Sequence, residues 1–412
     1  MKEYKTKEYS RGFSNVVRLG LERIGMLLEL LGNPEDKLRF VHIAGTNGKG
    51  SVCAFVEAGL AADGKRVGKF TSPNLVRVNE RIVVDREEIS DDELERVLEV
   101  VNSAAEKVKA ELGEEPTQFE IWTAAAIYYF ARRMCDVVVL EVGLGGEFDA
   151  TNIIKSPEIC VICHIDVDHT AYLGNSIREI ARAKCGIIKP EIASGTIISS
   201  EQCAEAREVI EETAKKYGHK LIFAKTPTPK GFDGIYETVD IFNMEDIRLS
   251  LGGTYQMINA SVAAETLKAL GVCEDSIRTG LETAVHRARF ERISDSLIFD
   301  GGHNPDGIRA LNRSLDRYFK GKRITVIFAC MADKDIKTSL ELLDGEGRSF
   351  IFTTVSDNPR AMKADALRDF ARKNCGIIAE SAANLKEAIR LAEKRGDMTV
   401  ICGSLYLYGD LF

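Results

Sequence analysis

Residues 45–51 read Gly-Thr-Asn-Gly-Lys-Gly-Ser, which are the residue types of a phosphate-binding loop. Glycines let backbone N–H groups approach phosphate oxygens, and the start of a following helix adds positive potential. Lys49 is predicted to contact the β and γ phosphates, and Ser51 to cap the helix or reach a metal. The alternative is a Gly/Asn turn with no ligand. We predict an ATP site formed by Gly45, Thr46, Asn47, Gly48, Lys49, Gly50 and Ser51.

The spacing inside this loop differs from the general P-loop pattern, GxxxxGK[ST]. Only two residues separate Gly45 from Gly48, and Gly50 intervenes before Ser51. The loop is therefore a variant, and the general pattern alone does not identify its class.

Oxygen donors and a histidine occur farther along the chain. Glu141 ends an apolar run, and His169 ends the segment Asp166-Val167-Asp168-His169. Magnesium bound to a nucleotide prefers oxygen ligands and keeps several waters, so a carboxylate at the end of a buried strand suits such a site. Taken alone, His169 is equally compatible with a loop histidine that bonds its neighbours.

Strands and helices are predicted around these residues. Apolar β-branched runs alternate with longer amphipathic segments, which indicates parallel sheets and an α/β fold. A strand over 38–43 enters the glycine loop and a helix over 51–63 leaves it. Further strands are predicted at 67–70 and 136–141, and helices at 91–112 and 119–134.

A second regular series begins near residue 293. Before it, residues 235–251 alternate like a small antiparallel patch, and helices resume at Asn259. We predict a P-loop-containing N-terminal ATPase domain that includes this patch (1–290) and a smaller Rossmann-like C-terminal α/β domain (295–412), with a hinge near 289–294. Strands of the second domain are predicted at 297–300, 324–329, 350–354 and 399–402.

Composition limits the class of protein. A formal net charge of -8 argues against a general nucleic-acid binder, which needs a basic face. No apolar stretch reaches the length of a membrane span, and the N-terminus is charged rather than signal-like. Cys160 and Cys163 have the spacing of a CxxC motif, but they lie in an apolar run and are interpreted as buried strand residues. We expect a cytoplasmic monomer with no membrane partner.

Many ordered motifs resemble one family. The chain is similar to the folylpolyglutamate synthase/dihydrofolate synthase family, within the muramyl-type amide ligases, and the similarity extends along nearly its whole length. The motifs are Gly20-Leu21-Glu22-Arg23, Leu31-Gly32-Asn33-Pro34, His42-Ile43-Ala44 with the loop, Thr71-Ser72-Pro73, Glu141-Val142-Gly143-Leu144-Gly145-Gly146, Asp149-Ala150-Thr151-Asn152, Asp166-Val167-Asp168-His169, Asp300-Gly301-Gly302-His303-Asn304-Pro305, Asp333-Lys334-Asp335 and Gly403-Ser404-Leu405-Tyr406.

The resemblance implies a metal and catalytic site. Its metal residues are Ser72, Glu141, His169 and Lys184, and its catalytic residues are Lys49, Lys184 and His169. Lys184 matches a lysine that the family uses in carbamylated form, in which the added carboxylate would hold a second magnesium. Read alone, a helical lysine is usually a solvated surface group. Ala183 and Cys185 depart from the family pattern around it.

The resemblance also implies further nucleotide contacts. Asn259 matches an asparagine that contacts adenine, although it could also cap the next helix. Arg289 matches an interdomain arginine that touches phosphates, and Asp300 and His303 are expected to face the nucleotide. Two departures occur here: Arg287-Ala288 replaces a Pro-Gly pair, and Gly302 replaces an alanine.

For the organic substrate, the resemblance implies a pterin and folate site. An aromatic ring such as Phe119 can stack on a flat heterocycle, although the start of a core helix explains its segment equally well. Glu147 stands where the family usually has an arginine, and the reversed charge is expected to weaken binding of a polyanionic folate tail. The implied residues are Val17, Arg18, Thr117, Phe119, Glu120, Phe148, Asp149 and Ala150.

The implied activity is an ATP- and Mg²⁺-dependent ligase that joins a folate-type carboxylate to L-glutamate through an acyl phosphate. Its substrates would be dihydropteroate or a reduced folate, and the second domain would close over ATP and bind glutamate or folate. Retention of Thr117-Gln118-Phe119-Glu120 favours the bifunctional enzyme. The alternatives are polyglutamate synthesis alone, a muramyl-peptide ligase, a P-loop NTPase switch, and a non-catalytic ATP-binding relative.

Overall fold

The computed structural model describes residues 18–395 and 397–412. It divides into two compact units, one containing the chain up to Thr226 with Ile258–Ala284, the other Pro227–Met257 with Val285–Phe412. Within the described ranges, no helix combines the length and the apolar character needed to span a membrane.

The first unit contains an eight-stranded sheet of order β4-β3-β2-β5-β1-β6-β7-β8. Strands β2, β5, β1, β6, β7 and β8 run parallel, and β3 and β4 add antiparallel at one edge. The central strands are completely buried, as expected where both faces of a parallel sheet are covered. The strands are β1 Phe40–Ala44, β2 Val67–Phe70, β3 Ile82–Val84, β4 Glu87–Glu88, β5 Val137–Glu141, β6 Ile159–Ile162, β7 Thr196–Ser199 and β8 Lys220–Phe223.

Helix boundaries in this unit follow from capping residues. The Ser90 side chain accepts from the Glu93 N–H at the start of α3, and Gly113 ends that helix with φ +71°. Thr117 and Glu120 form a capping box at the start of α4. The helices are α1 Glu22–Leu30, α2 Lys49–Ala62, α3 Asp91–Leu112, α4 Gln118–Arg132, α5 Thr170–Leu173, α6 Ile177–Cys185, α7 Ala204–Tyr217, α8 Gln256–Ala269, of which the first two residues belong to the second unit, and α9 Glu274–Thr283.

The second unit contains two sheets. A three-stranded antiparallel sheet has the order β11-β10-β9, and a six-stranded sheet has the order β12-β13-β17-β14-β15-β16, parallel except for β12. The elements are β9 Pro229–Asp233, β10 Tyr236–Ile241, β11 Met244–Arg248, β12 Glu291–Ser294, β13 Leu297–Phe299, α10 Pro305–Tyr318, β14 Ile324–Phe328, α11 Ile336–Leu343, β15 Arg348–Phe352, α12 Ala364–Cys375, β16 Glu380–Ser381, α13 Leu385–Ala392 and β17 Met398–Cys402.

Buried apolar side chains form separate cores. In the first unit, one core contains residues of α1, α3 and α4 and of the strands they cover, and another lies beside α6 and α7. The core of the second unit includes Phe290, Phe328 and Phe352. The predicted α/β class, with two parallel-rich sheets and a small antiparallel patch, is confirmed. The patch begins at Pro229 and lies in the second unit, whereas the sequence pattern places it with residues 1–290.

Candidate active site

The glycine loop connects β1 to α2, as the sequence predicts. Its lysine folds back: Lys49 Nζ donates to the carbonyl oxygens of Gly45 at 3.0 Å and Thr46 at 3.3 Å. α2 begins at Lys49 with Gly48 as its N-cap residue, so Ser51 lies inside the first turn. The prediction that Ser51 caps this helix is therefore wrong, because the helix begins two residues earlier.

Two glycines of the loop fit tightly against neighbouring residues. Gly48 has φ +91°, and a Cβ placed there would lie 2.5 Å from Asn259 Oδ1. A Cβ on Gly45 would lie 2.6 Å from Cys163 Cβ. Asn259 lies within α8 rather than at its start, so its alternative role as a helix cap is wrong. The structure instead brings Asn259 to the loop.

The segment after β6 anchors the loop from its other side. The Thr46 N–H donates to the carbonyl of His164 at 2.8 Å, and Thr46 Oγ1 donates to the carbonyl of Asp166 at 2.9 Å. The Asp166 N–H in turn donates to Thr46 Oγ1 at 3.1 Å. The Thr46 hydroxyl therefore joins the glycine loop to the backbone of the Asp166 motif.

Lys184 is buried beside the loop, with only 4% of its surface exposed. Its Nζ donates to the carbonyl of Gly45 at 2.9 Å, the oxygen that also accepts from Lys49. Burial lowers the pKa of Lys184 to about 7, the positive charge of Lys49 acts in the same direction, and Asp168 opposes it. The alternative of a solvated surface lysine is wrong, because α6 directs this side chain inward.

The predicted metal residues of the first unit lie at different depths. Glu141 ends β5, is buried, and accepts the Ser72 N–H on Oε2 at 2.9 Å. His169 has φ +53° and an imidazole 44% exposed, with Nε2 3.9 Å from Asp168 Oδ2. Lys184 lies beside the loop, bonded to the Gly45 carbonyl. A buried carboxylate with a hydroxyl nearby is a donor set that suits Mg²⁺.

Two buried thiols near these charges were not identified from the sequence as neighbours of the site. Glu141, Lys49 and Lys184 all act electrostatically on Cys163, whose pKa burial raises to about 12. Burial also raises the pKa of Cys53, and the charges of Glu141 and Lys49 reach it too. Both thiols are therefore neutral packing groups. For Cys163 the sequence gives no such signal, because it comes close to Glu141 only when β1 pairs with β5 and β6. Cys53 lies on α2, four residues after Lys49.

The segment after β5 is held by Asp149. This buried carboxylate accepts the N–H of Leu144 on Oδ2 at 2.8 Å and the N–H and hydroxyl of Thr151 on Oδ1. Burial raises the pKa of Asp149, and these donors oppose the rise. Ala150 is buried, whereas Glu147 and Phe148 are exposed. Asp149 therefore shapes the segment that presents Glu147 and Phe148.

The predicted pterin-side residues lie at the start of α4. Glu120 Oε2 accepts the N–H of Thr117 at 2.6 Å and Nε of the buried Arg23 at 3.2 Å. Arg23 also donates to the carbonyl of Arg18 at 3.1 Å. The ring of Phe119 packs on Gly143, where a Cβ would lie 2.5 Å from Cζ. These contacts connect Arg18 and α1 with α4 and the segment after β5. Val17 lies outside the described residues.

Three predicted ATP residues belong to the second unit. Asp300 follows β13 and is buried; its Oδ2 accepts the Tyr255 hydroxyl at 2.6 Å and the Phe290 N–H at 3.0 Å. Burial raises the pKa of Asp300, and Tyr255 and Arg289 act in the opposite direction. His303 Nδ1 lies 2.9 Å from the carbonyl oxygen of Gly301. Tyr255 was not identified from the sequence.

Comparison with known proteins defines the class. Residues 43–267 match the Mur ligase middle domain, and residues 288–405 match the Mur ligase glutamate ligase domain. The two matches cover most of the chain and place it among the Mur ligases.

Individual relatives narrow this class. The chain is 35% identical to the dihydrofolate synthase/folylpolyglutamate synthase of Bacillus subtilis, over 96% of this chain and 94% of that protein. It superposes on the folylpolyglutamate synthase of Mycobacterium tuberculosis complexed with ADP and AMPPCP with a TM-score of 0.88, at 29% identity, over 96% and 95% of the two chains. Escherichia coli FolC in complex with DHPP and ADP gives 0.84, at 29% identity over 98% and 94%. The chain belongs to the dihydrofolate synthase/folylpolyglutamate synthase family.

Proposed function

We propose that this enzyme is an ATP-dependent ligase that forms an amide between a folate-type carboxylate and the amine of L-glutamate. The observation that carries the proposal is the loop after β1, where Lys49, Lys184 and the first turn of α2 converge within the unit that contains Glu141. The names of the relatives support the choice of substrates. The nucleotide is ATP, and the metal is Mg²⁺.

The reaction proceeds in two displacements. A substrate carboxylate oxygen attacks the γ-phosphorus of ATP, which forms an acyl phosphate and releases ADP. The glutamate amine then attacks the acyl carbon and releases inorganic phosphate. Such chemistry depends mainly on positioning and on neutralising charge. We assign these tasks to the loop N–H groups, Lys49 and Arg289.

Phosphate binding would change the partners of Lys49. Its ammonium now donates to the carbonyls of Gly45 and Thr46, and these bonds are exchanged for phosphate oxygens when ATP is present. Lys184 also donates to the carbonyl of Gly45, so this carbonyl still has a hydrogen-bond donor when Lys49 leaves it. Asn259, at Gly48, is proposed to contact the adenine base.

Magnesium would neutralise charge on the phosphoryl groups. The residues proposed to hold it are Ser72, Glu141, His169 and Lys184. An ammonium at Lys184 would repel a cation, so this role requires carbamylation. The lowered pKa and the burial of Lys184 support that modification, because a neutral amine is the form that reacts with CO₂. Arg289 and His303 complete the proposed nucleotide contacts. Asp300, predicted to face the nucleotide, is buried and bonded within the second unit, and we propose that it supports them.

The pterin or folate would lie near the start of α4. Thr117, Phe119 and Glu120 are grouped there, and Arg23 connects them to Arg18. Phe148, Asp149 and Ala150 belong to the segment that packs on Phe119 through Gly143. Within this family we favour the bifunctional enzyme, acting on dihydropteroate and on reduced folates. We also propose that it is a cytoplasmic monomer without nucleic-acid or membrane partners.

The test is ADP release by the wild-type chain and by Lys49→Ala. We expect wild-type release to require L-glutamate together with dihydropteroate or tetrahydrofolate, and Lys49→Ala to lose at least about a hundredfold in kcat/KM. Lys65→Ala, at an exposed lysine after α2, is the matched control and should retain full activity. ADP release that continues over many turnovers without glutamate would refute the ligase, and substantial activity in Lys49→Ala would refute the role of the loop.

A further inference from the structure

Arg289 lies between two non-glycine residues with left-handed backbone. Ala288 has φ +59° and Phe290 has φ +47°, and both are fully buried. Residues with a Cβ rarely adopt this conformation, and it persists only where surrounding contacts fix it. The turn that carries Arg289 is therefore held under strain by its neighbours.

Three hydrogen bonds fix the peptide groups beside Arg289. The Ala288 N–H donates to Glu291 Oε2 at 2.6 Å, and the Gly301 N–H donates to the carbonyl of Ala288 at 2.8 Å. The Phe290 N–H donates to Asp300 Oδ2 at 3.0 Å. Two of these bonds come from the segment that begins at Asp300, so the position of Arg289 depends on that segment.

The Asp300 carboxylate is committed to internal donors. Its Oδ1 accepts the Gly302 N–H at 2.7 Å, and its Oδ2 accepts both the Phe290 N–H and the Tyr255 hydroxyl, the latter at 2.6 Å. Only 3% of the Asp300 surface is exposed. A carboxylate bonded in this way fixes backbone on both of its sides.

Tyr255 is itself held in place. The Thr254 N–H donates to Ser314 Oγ on α10 at 3.0 Å. Gly253 lacks the Cβ that would lie 2.9 Å from Tyr255 Cε1, so the ring can lie against the backbone there. The hydroxyl therefore reaches Asp300 from a fixed direction, and α10 begins immediately after the same Asp300 segment.

We propose that Tyr255 is a positioning residue for Arg289 that acts through Asp300. Without the hydroxyl, the buried Asp300 carboxylate loses a donor on the same oxygen that holds the Phe290 N–H, and the strained turn relaxes toward ordinary backbone. Arg289 then spends less time where it can neutralise phosphoryl charge. This inference rests on the proposed function, which assigns that role to Arg289.

A double-mutant cycle tests it, with kcat for glutamate-dependent ADP release as the readout. We expect Tyr255→Phe to lower kcat on the order of tenfold, the scale of a hydrogen bond to a charged group. In an Arg289→Lys background the same change should lower kcat by less than about twofold, because coupled residues are not additive. The proposal would be overturned if Tyr255→Phe had wild-type kcat. It would also be overturned if the fold-loss of the double variant equalled the product of the fold-losses of the two single variants.

Tyr318→Phe is the matched control. Its hydroxyl also donates to a buried carboxylate of the second unit, Glu237 Oε1 at 2.8 Å. Among the described bonds, that carboxylate accepts from Arg317 and Tyr318 of α10 and not from the Arg289 turn. We expect its kcat to stay within about twofold of wild type, and a loss equal to that of Tyr255→Phe would indicate a general structural effect and overturn the proposal. If wild type itself shows no glutamate-dependent release, the proposed function fails instead.

If Tyr255→Phe does not fold, as judged by circular dichroism, Asp300→Asn replaces it in the cycle. The asparagine side chain keeps one of the two acceptor oxygens of the Asp300 carboxylate and has an NH₂ group in place of the other. A loss of kcat that disappears in the Arg289→Lys background supports the link. Unchanged kcat, or a loss that multiplies with that of Arg289→Lys, contradicts it.

Discussion

Lys49 and Lys184 donate to one carbonyl oxygen, that of Gly45. Lys184 is almost completely buried, so desolvation disfavours its charged form, and the nearby charge of Lys49 adds to the effect. With a pKa of about 7, a large fraction of the Lys184 amine is neutral at neutral pH. A buried neutral amine can react with CO₂, whereas an ordinary surface lysine is almost wholly protonated.

Carbamylation of Lys184 is therefore expected to depend on pH. The amine is neutral above about pH 7 and protonated below it, so the carbamate should decline as the pH falls through that value. The measurement is the carbamate signal in ¹³C NMR of protein incubated with ¹³C-labelled bicarbonate. Lys184→Arg should abolish the signal, and the control Lys189→Arg should keep it. A signal of full intensity in Lys184→Arg would exclude Lys184 as its site.

Glu147 provides a second prediction about a single residue. Its side chain is exposed, so Glu147→Arg should leave the fold intact while replacing the negative charge with a positive one. We expect KM for a folate polyglutamate to fall by about threefold at low salt, the scale of an exposed charge interaction, and the gain to shrink as salt rises.

The control for Glu147→Arg is Glu191→Arg, the same charge change at another exposed position of the first unit. Glu191→Arg should leave KM for the folate polyglutamate unchanged within experimental error. Equal improvements in both variants would show a general effect of net charge rather than a contact near residue 147.

Some features of individual residues could be predicted from sequence and others could not. The position of the glycine loop between a strand and a helix was predicted, because the glycines, the lysine and the flanking elements are adjacent in sequence. The burial of Lys184 and the neighbourhood of Cys163 depend on pairing of distant strands, which residue types do not reveal. The bond between Tyr255 and Asp300 joins residues 45 positions apart and gave no local signal.

At the scale of elements, the turn from β1 into α2 makes a prediction about Gly48. Gly48→Ala combines a left-handed φ with a contact 2.5 Å from Asn259 Oδ1. We expect the free energy of unfolding to fall by about 2 kcal/mol and ADP affinity to fall on the order of tenfold, because either the Asn259 side chain or the loop must shift. Chemical denaturation and calorimetric titration measure the two effects.

Gly64→Ala separates backbone strain from the clash. Gly64 has φ +79°, and no atom lies within 4 Å of the point that an alanine Cβ would occupy there, so its substitution carries the strain alone. We expect a loss of about 1 kcal/mol in stability and no change in ADP affinity. If Gly48→Ala behaves like Gly64→Ala in both measurements, the contact with Asn259 does not shape the site.

Element boundaries were predictable where local signals are strong. Helix α3 and strand β2 have the predicted ends, and α3 is bounded by Ser90 and Gly113. Helix α2 starts before the predicted residue because Gly48, with φ +91°, allows the backbone to turn there. Strand β9 was missed because Pro229 and Gly231 are poor strand formers, and pairing with β10 overrides that preference.

At the scale of the whole molecule, the two compact units differ in what they contribute. The phosphate loop, Glu141 and Lys184 all lie in the first unit, and the Arg289 turn and Tyr255 lie in the second. Each unit has its own buried apolar core. A chain of this kind need not unfold in one cooperative transition.

The single tryptophan makes this testable. Trp122 is buried on α4 of the first unit, so tryptophan fluorescence reports the unfolding of that unit, whereas far-UV circular dichroism reports both. ADP at about a hundred times its Kd should stabilise the first unit, which carries the glycine loop and Lys49, by about 3 kcal/mol. We therefore expect ADP to shift the midpoint of urea unfolding measured by fluorescence upward, and to broaden or split the curve measured by circular dichroism. Lys49→Ala should remove this shift. If the fluorescence and dichroism curves coincide with each other both in the presence and in the absence of ADP, the two units unfold as one.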